Sequence, residues 1–350
     1  MNMSTVLQKQ SGMSLVELMV SLTVGLLLLN GVGYIYVQSR DSYRVQESLS
    51  RVQENGRFAL MFMERDIRMA GYRGCATRSS NSDSFVNALN SNTNYLWDFA
   101  IGIQGYEATS GSQWNGGVTP DSSIDMPLGG RDILTLRRAT GEIYNIVTHV
   151  NSTDDVILNS GVHFKEDDIV MLTTCRSAGV FQVTSNDATA GEGTLEHVAG
   201  AGTPGNASSD LQRTFQDGEA FLVDTVTYYI RTSNETGRPA LFRRIGSHAA
   251  EELIQDVEDM QITYGEDTNG DSFVDRYVAA DAANWGNVVS VDVKLLLVTP
   301  EDNLTPTNTP QPYTFNGVTY DGTAGNGALP SDRRLRRTFS STVTLRNRTL

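Results

Sequence analysis

The chain opens with one long apolar run, from Met13 to Val37. The hydrocarbon core of a bilayer is about 30 Å thick, and roughly 20 apolar residues cross it as a helix. A secretory signal peptide has a shorter apolar region, of about 7–15 residues, and ends in a small-residue cleavage site that does not follow here. The run therefore predicts a membrane-spanning helix at 13–37.

A second pattern extends this helix beyond the apolar run. Apolar residues recur at steps of three or four, while arginines and glutamates lie mainly between them. No proline interrupts 13–70, and Gly71 supplies a stop signal. The pattern predicts one helix over 13–70, about 87 Å long at 1.5 Å per residue, which could kink at Gly31 or Gly33. The apolar stripe of its second half consists of Val45, Leu49, Val52, Gly56, Ala59, Leu60, Met63, Ile67 and Ala70.

Strand signals dominate from Arg131 onward. Several segments alternate apolar and polar residues with a period of two, as in the stretch VVSVDVKLLLV. Strands and helices do not alternate regularly, which argues against a doubly wound parallel sheet. The polar segment from Ser79 to Gly130 is expected to form long loops with short strands. The predicted fold class is α+β, with a long N-terminal helix packed on a large, mostly antiparallel β head domain at 71–350.

Glu17 is the one charged residue in the apolar run. A carboxylate within the bilayer costs about 2.5–3.5 kcal/mol, and it is tolerated when the group has a partner. The run contains no lysine, arginine or histidine that could serve as one. If the chain were cut after Gly12, Met13 would carry a new α-amino group, and Glu17 would be the fifth residue. The amine of one copy could then pair with the carboxylate of a neighbour.

The stretch SGMSLVELMVSLTVG resembles the class III signal of type IV prepilins and type II secretion pseudopilins. The matching features are Gly12, the hydrophobic residue after it, Glu17 five places on, and an unbroken apolar helix. The resemblance implies a leader at 1–12, cleavage after Gly12 by a prepilin peptidase, and N-methylation of Met13. It also implies assembly into a filament in which Glu17 sets the register of each subunit.

Charge and histidine spacing exclude several other classes of function. The formal net charge is −14, which repels nucleic acid phosphates, so we expect no direct nucleic acid contact. The four histidines are isolated in sequence, and no H-E-x-x-H, G-x-S-x-G or P-loop motif occurs, so we expect no enzyme activity. The histidines are His149, His163, His197 and His248.

Arginines gather near the C-terminus. We interpret them as part of a solvated edge strand or as a surface that pairs with acidic neighbours. The six are Arg333, Arg334, Arg336, Arg337, Arg346 and Arg348.

The two cysteines, Cys75 and Cys175, form no C-x-x-C motif, which argues against zinc and thioredoxin-like readings. If the part of the chain after the membrane run lies outside the cytoplasm, its compartment permits disulfides. A single long-range disulfide is the expectation, and two buried thiols are the alternative.

The stretch EDTNGDSFVD contains a candidate calcium loop. Its oxygen ligands would be Asp267, Asn269, Asp271, Asp275 and the Phe273 carbonyl. The loop departs from an EF-hand because Ser272 replaces the invariant glycine and Val278 replaces the bidentate glutamate. A structural Ca²⁺ is the predicted cofactor. The alternative is a plain acidic hairpin, since Asn269-Gly270 is itself a strong turn signal.

Four longer stretches are similar in order and wording to the PilW family of minor pilins. They are MERDIRMAGYRGC, DIVMLTTCRSAGVFQVT, VEDMQITYGEDTNGDSFVDRYV and VVSVDVKLLLV. In that family the cysteines matching Cys75 and Cys175 recur. The large loops at 79–130 and 301–332 depart from the pattern, so no binding role is assigned to them.

The resemblance implies a minor pilin that initiates assembly of a type IV pilus or sits at its tip. Its partners would be other minor and major pilins, the prepilin peptidase and a tip adhesin. The protein would begin in the inner membrane with a periplasmic head and end outside the cell in the pilus. The alternatives are a large minor pseudopilin of a type II secretion system and a membrane-anchored adhesin that never polymerises.

Overall fold

A computed structural model describes residues 12–74, 85–109, 113–115, 117, 119–160, 164–187, 193–200, 202–305 and 309–347. Within these residues the chain forms one long helix followed by a large β domain. The predicted α+β fold class, with a long N-terminal helix and a mostly antiparallel head, is therefore confirmed.

The helix, α1, runs unbroken from Leu15 to Met69. Its 55 residues correspond to about 82 Å at 1.5 Å per residue. Gly31 and Gly33 both lie inside it, and the helical assignment continues through them. The chain leaves the helix at Ala70, which is extended, and turns at Gly71, which has a positive φ of 68°.

Among the described residues, seventeen strands follow the helix. The first nine are β1 (Phe85–Asn87), β2 (Ile103–Tyr106), β3 (Ile133–Thr148), β4 (Val156–Leu158), β5 (Ile169–Thr173), β6 (Ala178–Gln182), β7 (Ser185–Asp187), β8 (Gly193–Glu196) and β9 (Glu219–Thr232). The other eight are β10 (Pro239–Ile245), β11 (Glu251–Gln255), β12 (Val257–Glu266), β13 (Arg276–Val278), β14 (Val288–Val298), β15 (Tyr313–Phe315), β16 (Val318–Tyr320) and β17 (Arg336–Thr344). A short 3-10 helix spans Ala280–Ala282.

The larger sheet contains eleven strands and is built around the two long strands β3 and β9. Its main path is β1-β6-β5-β9-β3-β4-β8-β7, while β2 pairs with β3, β10 with β9, and β11 with β10. The pairing of β1 with β6 is parallel, and the other pairings in this sheet are antiparallel.

The smaller sheet is antiparallel and has the order β13-β12-β14-β17. A separate hairpin, β15–β16, lies beside β17 and contacts it, with the Thr338 hydroxyl donating to the Thr314 carbonyl oxygen at 3.2 Å. Because the hairpin does not pair with β17 as a strand, β17 forms one edge of the smaller sheet.

The second half of α1 packs into a core shared with both sheets. Its buried residues are Ser48, Val52, Gly56, Ala59, Met63, Asp66 and Ile67, spaced as the apolar stripe predicts. They meet apolar side chains of β3 and β9 from the larger sheet and of β12, β14 and β17 from the smaller one. A fully buried aliphatic side chain contributes roughly 1.5–3 kcal/mol, so this stripe fixes the helix on the head.

Two details of the strand predictions are corrected by the structure. The stretches DILTLRR and EIYNIVTHV have the pattern of two separate strands, but they belong largely to the single strand β3. Its pairing with β9 shifts register between Thr140 and Tyr144, around Gly141, which has a positive φ of 75°. The loop region at 301–332 contains the hairpin β15–β16, which is closed by Asn316 and Gly317, both at positive φ. Such a turn suits Asn-Gly because these two residues tolerate the left-handed conformation.

Candidate assembly surface

Gly12 and Met13 lie in exposed backbone just before α1. The helix begins at Leu15, after the N-cap residue Ser14, which is extended and makes no side-chain cap. A Cβ atom on Gly12 would have no neighbouring atom within 4 Å. Nothing in the described chain itself therefore requires glycine at this position. Residues 1–11 of the predicted leader, including Lys9, lie outside the described residues.

The first half of α1 is an apolar helix that no other described part of its own chain covers. From Met13 to Val37 its large apolar side chains are 47–76% exposed. The most apolar window of 18 residues is long and apolar enough to cross a membrane, and none of it is buried in the structure. This exposure distinguishes it from the core helix of a soluble domain.

The neutral polar groups of this half are largely satisfied by the helix itself. The Ser21 hydroxyl donates to the Glu17 carbonyl oxygen at 2.7 Å, and the Thr23 hydroxyl donates to the Val20 carbonyl oxygen at 2.9 Å. The Asn30 amide donates to the Leu26 carbonyl oxygen at 3.2 Å. Such bonds to the preceding turn are the usual way for short polar side chains to hide in a helix.

Glu17 is different, because its carboxylate has no partner among the described residues. It lies in the first turn of α1, where a negative charge also favours the helix dipole. It is four residues from Met13, which corresponds to a rise of about 6 Å along the helix. The predicted amine at Met13 and the carboxylate thus lie about one turn apart, both exposed to a neighbouring chain.

The second half of α1 is held on the head by a buried polar cluster that sequence reasoning missed. Asp66 is 2% exposed, forms an ion pair with Arg138, and accepts a hydrogen bond from the Tyr228 hydroxyl at 2.6 Å. Burial, followed by the nearby Asp66 charge, raises the pKa of Tyr228. The cluster therefore ties the last turns of the helix to β3 and β9 through a charge that is shielded from water.

Close packing adds to this attachment. A Cβ atom on Gly56 would lie 2.6 Å from the ring of Phe339 on β17, so any larger residue would force the ring to move. Glu64 accepts a hydrogen bond from the Ser341 hydroxyl at 2.6 Å, also on β17. Nearer the exposed half, Arg44 and Glu301 form a surface ion pair at 2.9 Å. The helix is thus fixed from about Arg44 onward and projects freely before that.

The acidic loop joins β12 to β13. The Asp267 carboxylate accepts backbone N–H groups of Asn269, Gly270 and Ser272 at 2.6–3.1 Å. Burial raises the pKa of Asp267, but these N–H donors together outweigh it and lower the pKa. The Thr268 hydroxyl and N–H lower the pKa of Asp275.

The Asn269 amide bridges the carboxylates of Asp271 and Asp275, at 3.2 Å to each. Within the described ranges, no three Asp, Glu, His or Cys side chains are arranged to hold a metal ion. The side chain of Phe273, whose carbonyl was a predicted ligand, is 74% exposed. The loop is therefore satisfied by its own hydrogen bonds as it stands, and the calcium site stays a prediction.

The structure describes only one of the two cysteines of the predicted disulfide, Cys175. Cys75 lies outside the described residues, and no free cysteine occurs among those that are described. The residues just before each cysteine are in contact, because the Thr173 hydroxyl donates to the Arg73 carbonyl oxygen at 2.7 Å. The pairing of Cys75 with Cys175 remains a prediction.

The histidines are not all isolated in space. The rings of His149 and His197 lie 6.3 Å apart and are both buried, whereas His248 is exposed and His163 lies outside the described residues. The Phe215 N–H donates to His149 Nδ1 at 3.0 Å, and His197 Nε2 lies 2.9 Å from the Asp154 carbonyl oxygen. Burial, followed by His197, lowers the pKa of His149.

The C-terminal arginines divide into two groups. Arg336 is paired with Glu258 at 2.6 Å and with Asp332 at 2.8 Å, and Arg334 donates to the Thr299 carbonyl oxygen at 2.8 Å. Arg333 is bonded to Asn303, and Arg348 lies outside the described residues. Arg337 and Arg346 are exposed, and neither pairs with an acidic side chain in the part of the chain that the structure describes.

Two protein-family models match separate parts of the chain. Residues 227–347 match the family model of type IV pilus-assembly protein W, PilW, and residues 7–29 match the prokaryotic N-terminal methylation motif. Over these two ranges the chain is similar to PilW-type pilus-assembly proteins and to N-methylated prepilins. The methylation motif covers Gly12, Met13 and Glu17, and the PilW match covers β10–β17, including the acidic loop and the arginines of β17.

The other comparisons are more distant. No curated protein matches the chain. A solved structure of a type IV-like pilin from Thermus thermophilus matches at 12% identity and a TM-score of 0.29, covering 88% of this chain and 98% of the other. Both cysteines and the buried histidine pair lie outside the two family matches.

Proposed function

We propose that this pilin is a minor subunit that helps to initiate a type IV pilus or sits at its tip. In this proposal the chain is inserted in the inner membrane with its head in the periplasm. It is cleaved after Gly12 and methylated on Met13. It then leaves the membrane by joining other minor and major pilins, with the head outside the cell.

The observation that carries the proposal is the isolated carboxylate of Glu17. The other hydroxyl and amide groups described above for the apolar run bond to their own helix, whereas Glu17 has no partner within the described residues. A membrane anchor that stays monomeric has no use for such a charge, which is costly in lipid. A neighbouring subunit with a free amine at its first residue supplies the missing partner.

The size of the head supports a minor role. The β domain extends over most of the chain, and its described residues form seventeen strands in three sheets. A head of this size is awkward to repeat along a thin fibre, but it fits at an end where only one side must contact other subunits. A tip position would also leave the large loops free to meet a surface or an adhesin.

The experiment is mass spectrometry of pili sheared from cells, compared with the membrane fraction. We expect the chain in the pili, in a form that begins at Met13 with one added methyl group, and fewer pili when its gene is deleted. Normal piliation with a loss of protein secretion would instead assign it to a type II secretion system. Retention of all copies in the membrane would favour the adhesin and contradict the proposal.

A further inference from the structure

We propose that the free edge of β17 binds an extended, acidic segment of another pilus subunit by adding it to the smaller sheet as a strand. The inference rests on the proposed function for the identity of the partner as a pilus subunit. The binding chemistry follows from the edge itself and can be tested without assembled pili.

The first step is the shape of the edge. Strand β17 pairs with β14 through nine residues without a register shift. Its other side has no strand partner among the described residues, and the β15–β16 hairpin contacts it through the Thr338 side chain without pairing as a strand. Proteins usually blunt long edge strands with proline, bulges or short length, because an open edge recruits other strands. The stretch Thr338–Thr344 contains no proline and no bulge, whereas the opposite edge of the sheet, β13, has only three residues.

The second step is the charge beside this edge. Phe339 packs on Gly56 of α1. Arg337 is two residues before Phe339 in β17, so both lie on the face that is turned towards α1. Arg337 is exposed and has no acidic partner among the described residues, unlike Arg336 beside it. In a chain with a net charge of −14, an unpaired arginine at an open edge favours an incoming carboxylate.

The third step is a groove at the same place. A groove of about 400 Å³ opens between α1 and the start of β17. Its lining includes Val45 and Leu49 of α1, Leu304 and Pro312 of the facing loops, and Leu335 and Arg337. An added strand would place its alternate side chains here, so it should carry an apolar residue for the groove and an acidic residue for Arg337. Main-chain bonds give affinity in such complexes, and side-chain pockets give specificity.

The test uses the full-length protein in detergent micelles and three synthetic peptides of about ten residues. The first alternates valine and threonine and ends in two glutamates, and the second ends in two lysines instead. The third is the glutamate peptide with alternate backbone nitrogens methylated, which removes the donors that a sheet edge needs. Binding is followed by fluorescence anisotropy, and amide hydrogen exchange locates the bound peptide.

We expect the glutamate peptide to bind and to slow exchange within 337–344, and the methylated peptide not to bind. Arg337→Glu should lower the affinity for the glutamate peptide about tenfold and raise the affinity for the lysine peptide. Arg176→Glu, at an exposed turn of the larger sheet, is the matched control and should change neither affinity.

Three results would overturn the proposal: no binding of the glutamate peptide, binding that backbone methylation does not affect, or unchanged exchange within 337–344. Self-association of the protein in competition with the peptide would assign the edge to a second copy and also count against it. This assay needs no pilus, so a negative result would not affect the interpretation of the shearing experiment. If the shearing experiment failed and this assay succeeded, the edge would still bind a peptide, but its partner would not be a pilus subunit.

Discussion

At the scale of single residues, Glu17 and Asp66 are two carboxylates of one helix in opposite situations. Glu17 is exposed, apolar side chains surround it, and it has no partner within the described residues. Asp66 is buried and has two partners on the β domain. A partner for the Glu17 carboxylate must come from another molecule, whereas the partners of Asp66 lie in its own chain and stabilise it.

Replacing Glu17 with valine should leave membrane insertion intact, because it removes a charge that costs about 2.5–3.5 kcal/mol in lipid. The same change should lower the amount of the protein in sheared pili by about tenfold, since a bond to a charged group contributes about 1.5–3 kcal/mol. The measurement is a quantitative immunoblot of pili against membranes. Asn30→Val, which removes a side chain already bonded to its own helix, is the control. Normal incorporation of the valine variant would refute the role of Glu17.

Replacing Asp66 with alanine should destabilise the head by about 3–5 kcal/mol, because it removes the carboxylate that forms an ion pair with the largely buried Arg138. The control is Glu47→Ala, which removes a surface pair with Arg51 and should cost less than about 1 kcal/mol. Chemical denaturation of the full chain in detergent measures both. Equal stability of the two variants would mean that the buried cluster does not anchor the helix.

These two residues also mark what could be predicted from the sequence at this scale. Glu17 was identifiable because its surroundings are its sequence neighbours in one helix. Asp66 was not, because Arg138 and Tyr228 lie 72 and 162 positions away and only the folded sheet brings them to it. The same limit applies to the buried pair of His149 and His197, which the sequence presents as isolated.

At the scale of elements, the periodic segments were predictable and their pairing was not. The spacing of apolar residues predicted α1 over nearly its whole length, since a helix is encoded by local spacing. The alternating stretch at 288–298 likewise became β14. Short strands such as β1 and β11 have no such pattern. Their partners, β6 and β10, supply the hydrogen bonds that make them strands.

The acidic loop between β12 and β13 is the element whose ligand we predict. Calcium at several millimolar should raise the melting temperature of the protein relative to chelator, because it would offset the repulsion among Asp267, Asp271 and Asp275. Extracellular sites with few ligands bind at about 10⁻⁴ to 10⁻³ M, and a 100-fold excess over the dissociation constant stabilises by about 2.7 kcal/mol. Asp271→Ala should abolish the rise.

The control for the calcium experiment is magnesium at equal concentration, which screens charge but demands stricter geometry. The loop already satisfies its carboxylates with backbone N–H groups and the Asn269 amide. An unchanged melting temperature in calcium would therefore favour the plain acidic hairpin.

At the scale of the whole molecule, the buried histidine pair should make the stability of the head depend on pH. The pKa of His149 is lowered from its ordinary value of 6.5, so the unfolded chain takes up a proton before the folded one does. Its contribution to stability is therefore fully present above about pH 6.5 and is lost as the pH falls towards the folded pKa. Protonation would also break the hydrogen bond that His149 Nδ1 accepts from the Phe215 N–H.

The measurement is the melting temperature between pH 5 and 8 for the native chain and for His149→Asn, in which the amide oxygen can still accept from Phe215. We expect the variant to lose much of the decline below pH 6.5. His248→Asn, at an exposed site, should behave like the native chain. Identical curves for all three proteins would contradict the assignment.

The proposed disulfide between Cys75 and Cys175 would join the end of α1 to the larger sheet of the head. Cys75 follows the end of α1 by only a few residues, and Cys175 follows β5. Thr173 lies against Arg73 and Gly74, so the chain segments that carry the cysteines are already together. A crosslink here would connect the end of the helix to the larger sheet, where, in the proposed filament, a load on the head would pass into the helix.

Closing a loop of 100 residues stabilises by about 4.7 kcal/mol in the chain-entropy model. The crosslink and the Asp66 cluster would therefore make similar contributions to the free energy of unfolding. Non-reducing mass analysis of protein from the periplasm should find both thiols blocked. Cys175→Ser should lower the stability of the head by up to this amount, and adding Cys75→Ser should lower it little further, since one bond is lost either way. Two free thiols in the native protein, or additive effects of the two substitutions, would mean that the helix and the larger sheet are held together by packing and the Asp66 cluster alone.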